Sequence, residues 1–185
     1  MKNQKKIRNV VVGAVIAALY VVLTYLANML GLASGVIQVR LSEILTVMPV
    51  FTPAAIPGLF IGCLVANILT GCALWDVVFG SLATLIGAVG TYLLRKHNVL
   101  AVLPPILANA VIVPFVLLFV YSLEGTYWYF FATVGVGEII SCGVFGTILI
   151  KSFKILSEPA FPFLALSRSC AFSVQFSRSV GSDSL

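Results

Sequence analysis

The apolar stretch from Ile44 to Trp75 is longer than one membrane-spanning helix of about 20 residues and shorter than two. Pro49, Thr52-Pro53 and Pro57 divide it. Proline removes a backbone donor and disfavours helix at the residue before it. The stretch is therefore predicted to hold a short, proline-bounded helix over 43–52, a turn, and a full helix over 54–71.

Of the 185 residues, 61% are hydrophobic and 9% charged, too few polar groups to cover the surface of a soluble domain. The chain reads as an all-α integral membrane protein. Its net charge of +5 could suggest a nucleic-acid partner, but the bases stand at the ends of apolar runs. They are Lys2, Lys5, Lys6 and Arg8, then Arg95 and Lys96, then Lys151 and Lys154. That distribution orients helices in a lipid bilayer and does not build a phosphate-binding patch.

The first run, over 9–30, is long enough to span and is followed by no clear small-x-small cleavage site, so it is expected to be a retained helix. Further spans are expected over 77–94, 99–121 and 128–150. A single span over 44–75 would place Arg95-Lys96 outside if the amino terminus is cytoplasmic; two spans place it inside. The expected architecture is six transmembrane helices, the second short and proline-bounded, with both termini cytoplasmic. Residues 1–8 form a basic cytoplasmic start, 9–154 the membrane domain, and 155–185 a Ser-rich tail outside it.

Arg40, Glu43, Asp76 and Glu124 then fall on outer connections. Glu138 lies about ten residues into the last helix, roughly 15 Å along its axis. Polar groups within apolar spans are costly and must face the interior, which makes Arg40, Glu43, Asn67, Asp76, Asn109 and Glu138 the candidate solute-binding set. A plainer reading pairs Arg40 with Glu43, three residues on, and lets each asparagine bond a neighbouring helix. For Glu138 it is weaker, since its own span contains no base. Carboxylates and amides beside Trp75, Tyr127 and Trp128 would suit a flat, donor-rich solute. Those three aromatics also lie at expected membrane boundaries, where interfacial anchoring accounts for them.

Small residues recur at helical spacing as Gly58, Gly62 and Ala66, as Gly80, Thr84, Gly87 or Ala88, and Thr91, and as Ala14 and Ala18. Such stripes let helices pack closely in lipid. Cys63, Cys72, Cys142 and Cys170 have no metal-ligand spacing, and three of them fall in or beside apolar segments, where cysteine behaves as a small hydrophobe. No GxxxxGK[ST] loop and no HExxH motif is present, and the single histidine, His97, sits in a basic, polar turn. No cofactor, metal or catalytic residue is expected. The acids could instead serve an ATPase-independent transporter or channel, or an intramembrane enzyme, but no nucleophile stands beside a base and no polar stripe runs through every helix.

The segments LSEILTVMPVFTPAAIPGLFIGCLVANILTG, LWDVVFGSLATLIGAVGTYLLRK, LPPILANAVIV and VGVGEIISC resemble, in order, the queuosine-precursor transporter family, within the substrate-binding S components of energy-coupling factor transporters. The resemblance covers about residues 8–154. It implies six helices, a ligand site in the outer half, and 7-deazaguanines or queuine as solutes. It also implies a coupling module of one membrane T subunit and two cytoplasmic ATPases, in a bacterial plasma membrane. An AxxxA pattern in the first helix forms part of the docking face, and Ala14 and Ala18 match it. A guanine-like edge offers N–H groups to one carboxylate and an aminomethyl cation would suit a second, roles expected of Glu43 and Glu138 in either order.

Overall fold

The computed structural model describes residues 2–32, 40–97 and 100–157, and the chain divides into two compact units, Met1–Ile150 and Lys151–Leu185. Apart from its first three residues, the Ser-rich tail expected over 155–185, with Cys170, lies outside the described residues. Six helices follow one another, with no strand among the described residues. They are α1 (Lys2–Met29), a 3-10 helix (Leu41–Val50), α2 (Ala55–Leu69), α3 (Leu74–Leu93), α4 (Leu103–Phe119) behind a short 3-10 turn, and a long last helix. In that last helix α5 (Tyr127–Glu138) and α6 (Thr147–Ser157) are joined by a π-helical segment, Ile139–Gly146. By length and composition α1, α3, α4 with its leading turn, and the last helix can each cross a membrane, four in all.

The second helix differs from the expected 43–52: it runs Leu41–Val50, contains Pro49, and is wound as a 3-10 helix. With three residues per turn, side chains at i and i+3 fall in one line. Glu43, Thr46 and Pro49 make such a line, and all three are fully buried. The helix packs on α1, α2, α3 and the π segment, so it lies inside the bundle. The fourth helix begins at Leu74, not 77, which moves Asp76 from the expected connection into a helical first turn. A carboxylate is favoured there by the N–H groups of the helix start.

The small-residue stripes mark helix contacts. A Cβ on Gly58 would lie 2.6 Å from the Gly13 carbonyl oxygen, and one on Gly62 would lie 3.0 Å from the Ala17 Cα, so α1 and α2 touch backbone to backbone. On α3, a Cβ on Gly87 would lie 2.7 Å from the Pro105 Cα of α4. Ala14 and Ala18 on α1 are exposed.

α2 ends where Gly71 turns left-handed, φ 74°, and the Gly71 and Cys72 N–H groups return to the Ile68 and Asn67 carbonyls. This Schellman cap fixes the orientation of the Asn67 turn. Nothing lies within 4 Å of a Cβ built on Gly71, so its replacement tests the backbone alone. Gly71→Ala is expected to lower stability by about 1 kcal/mol without steric disturbance, read as a shifted melting temperature.

Candidate functional site

A cavity of about 270 Å3 lies where the ends of α1, α2 and α3, the start of the 3-10 helix and the chain after α4 converge. Arg40, Asn67 and Asp76 line it, with Tyr20, Cys72 and Tyr121. Asp76 is held from across the cavity: the Tyr121 hydroxyl donates to Asp76 Oδ2 at 2.9 Å and accepts the Ala73 N–H at 3.2 Å. Loss of water, and then the Asp76 charge, push Tyr121 up to about 12, so it remains a protonated donor at neutral pH. Among the described residues the Asn67 side chain bonds within its own helix, donating to Cys63 Sγ at 3.6 Å.

Below Tyr20 lies a second, drier group. Glu43, Asn109 and Glu138 are 0%, 1% and 3% exposed, and come from the 3-10 helix, α4 and the end of α5. Tyr20 joins the two levels, bordering the cavity while its hydroxyl donates to Glu43 Oε1 at 2.5 Å. The Glu43 carbonyl accepts from Thr46 Oγ1 at 2.6 Å and from Cys142 Sγ at 3.2 Å. The same thiol reaches Glu138 Oε2 at 3.5 Å. One donor atom each from Glu43, Glu138 and Cys142 can be chosen within 4.8 Å of one another, a cluster drawn from separate elements that sequence spacing does not reveal.

Several polar atoms here have no hydrogen-bond partner among the described residues. Glu43 Oε2 and both amide atoms of Asn109 are buried and unbonded, as is Ser141 Oγ in the π segment. Asn109 nevertheless stands close enough to feel both carboxyl groups. An unsatisfied buried polar atom costs about 1–3 kcal/mol. Three of them belong to Glu43 and Asn109, in a bundle packed backbone to backbone elsewhere.

Glu43 and Asn67 take hydrogen-bond partners other than those of the plainer reading. Among the described residues Glu43 bonds Tyr20 rather than Arg40, Asn67 bonds within its own helix, and Asn109 bonds nothing. The cysteines are not merely small hydrophobes: Cys63 accepts from Thr84 at 3.3 Å and Cys142 sits among polar partners. A thiol is a weak donor that suits a carbonyl otherwise left bare. Trp75, Tyr127 and Trp128 do not line the cavity; Trp75 and Trp128 are exposed and Tyr127 packs on Phe115.

Sequence reading missed Tyr20, Tyr121, Cys142 and Ser141. Tyr20 carried a usable signal: a tyrosine in mid-span, away from either boundary, needs a buried partner for its hydroxyl. Tyr20→Phe removes the bond that fixes Glu43, and is expected to weaken solute binding about tenfold while the chain still melts cooperatively. Titration of purified protein checks it.

The sequence matches the family described as QueT transporter over residues 10–154. It is 37% identical over 85 residues to the queuosine precursor transporter QueT of Lactococcus lactis subsp. cremoris (strain MG1363), covering 45% of this chain and 49% of the relative. The matched segment thus spans about half the length of that curated relative. No solved structure matches the chain.

Proposed function

The chain belongs to the QueT transporter family, and we propose that it is the solute-binding membrane subunit of an energy-coupling factor importer, capturing queuosine precursors from outside a bacterial plasma membrane. The precursors are 7-deazaguanines or queuine. The observation that carries this reading is the group of unpartnered buried atoms on Glu43 and Asn109 below a cavity lined by Arg40, Asn67 and Asp76. Flat heterocycles with paired N–H groups match carboxylate and amide acceptors.

Six crossings with both ends cytoplasmic suit the same account. Arg8 lies near the start of α1 and Arg95 just past the end of α3, whereas the cavity is lined from Tyr20 onward in α1 and near Asp76 in α3. Basic residues at the opposite helix ends favour a cavity that faces outward. The family match ends at 154, where the membrane domain is proposed to end.

The sequence has no nucleotide-binding loop, so energy would come from a T subunit and two cytoplasmic ATPases. The exposed Ala14 and Ala18 supply a face of small residues for docking. Ala14 also borders an apolar groove of about 640 Å3 with Ala17, Pro53, Pro57 and Ile61. Proteoliposomes carrying the chain and its coupling module should accumulate a deazaguanine only when ATP is supplied. Accumulation by the chain alone would contradict coupling and favour an ATPase-independent carrier.

A further inference from the structure

The sequence groups Gly80 with Thr84 and Gly87 as one packing stripe on α3, but the two glycines have different neighbours. A Cβ on Gly87 would lie 2.7 Å from the Pro105 Cα, the mark of a helix contact. A Cβ on Gly80 would instead meet two side chains that line the cavity, Asn67 Nδ2 at 3.1 Å and Asp76 Oδ1 at 3.5 Å. Asn67 and Asp76 are 7% and 6% exposed. Carbon atoms rest about 3.5–4.0 Å apart, so a methyl group at position 80 would displace the Asn67 amide. The stripe position is therefore a corner of the cavity wall.

The amide is also held from its own helix. Asn67 Nδ2 donates to Cys63 Sγ at 3.6 Å, and the same sulfur accepts from Thr84 Oγ1 of α3 at 3.3 Å. A sulfur that takes a hydroxyl proton is an acceptor, so the amide turns its NH2 end toward Cys63 and Gly80. The carbonyl oxygen is the other end of the same planar group and is left for the cavity that Asn67 lines.

We propose that Gly80 is a positioning residue for solute capture: with Cys63 it forms a niche that seats the NH2 end of Asn67 and presents the Asn67 carbonyl oxygen to the cavity as an acceptor beside Asp76. This rests on the solute-binding reading above and gives one cavity wall its polarity. The solute group met there is a hydrogen-bond donor. Gly80 touches no solute and acts through Asn67.

The test titrates the purified full chain with aminomethyl-deazaguanine, cyano-deazaguanine and queuine, native and as Gly80→Ala, Asn67→Ala and the double variant. For a solute that the native chain binds, Gly80→Ala should weaken binding about tenfold through the misplaced amide. The melting temperature of the empty variant should hold or rise, since alanine is the better helix former. Asn67→Ala should also cost about tenfold, and adding Gly80→Ala to it less than about twofold more. Unchanged affinity in Gly80→Ala, additive losses in the pair, or affinity and melting temperature falling together would overturn the proposal. If Gly80→Ala does not melt cooperatively, Cys63 decides: Cys63→Ser, which keeps an acceptor, should stay within about threefold of native affinity, and Cys63→Ala should lose about tenfold. Equal affinities in those two variants would overturn it. If none of the three solutes binds the native chain, the solute-binding reading fails by itself, and the niche is read on the empty protein. The side-chain amide resonance of Asn67, identified by its loss in Asn67→Ala, should then move in Gly80→Ala and stay in place in Gly135→Ala. A resonance unmoved by Gly80→Ala would overturn the seating.

Discussion

Glu138→Ala is expected to weaken solute binding by about 100-fold, the largest single effect on affinity in the chain. Glu138 is 3% exposed, and among the described residues its carboxyl accepts a weak thiol contact from Cys142 at 3.5 Å. The empty protein therefore depends little on it for structure. A carboxyl group buried with no salt bridge among the described residues is costly to the fold that contains it, so its removal should leave the melting temperature of the empty protein unchanged or raised. Falling affinity with steady or rising stability is the signature of a group kept for a ligand. A structural residue would move both downward together. Titration and a melting curve on one preparation of the alanine variant separate the cases.

The largest effect on stability is expected at Gly58. Even Gly58→Ala places a Cβ 2.6 Å from the Gly13 carbonyl oxygen and 3.1 Å from its Cα, and backbone cannot swing aside as a side chain can. About 2–3 kcal/mol should be lost, with Gly58→Leu forcing α1 from α2. Because α1 carries Tyr20, that separation also releases Glu43 from its one bonded oxygen, so binding should fall with stability. Gly135→Ala is the matched control: its nearest neighbour would be the Ala110 Cβ at 3.9 Å, an ordinary contact. Alanine there should be neutral or gain up to about 1 kcal/mol from helix propensity. Denaturation midpoints of the two variants should therefore move apart, and equal losses would show that the α1–α2 contact is softer than its geometry.

What could be read in the sequence follows from what lipid penalises. A charge or amide in an apolar run is conspicuous because no water can satisfy it, so Glu43, Asn67, Asp76, Asn109 and Glu138 stood out. Prolines at 49, 53 and 57 showed where one long stretch must break into two helices. The winding was not legible. Nothing in LSEILTVMPV distinguishes a 3-10 helix from an α-helix until the burial of Glu43, Thr46 and Pro49 shows its threefold line. The π segment after Glu138 was equally hidden, since its composition is that of any apolar helix.

Residues able to act as either polar or apolar were the hardest to place. Cys142 and Ser141 pass as small core residues by composition, yet one bonds the Glu43 carbonyl and the other keeps a bare hydroxyl. Tyr121 follows a span where interfacial anchoring explains any tyrosine, and only the fold brings it to Asp76, 45 positions away in the chain. Contacts between residues so far apart are set by helix packing, which periodicity does not encode.

The central claim is that the buried acids and amides form a solute site. It is tested most directly by thermal shift of the detergent-purified chain with aminomethyl-deazaguanine, cyano-deazaguanine and queuine, against thiamine, riboflavin and guanine. The account predicts a selective, saturable rise in melting temperature with at least one of the first three and none with the controls. A chain that melts cooperatively and responds to none of the three would contradict it.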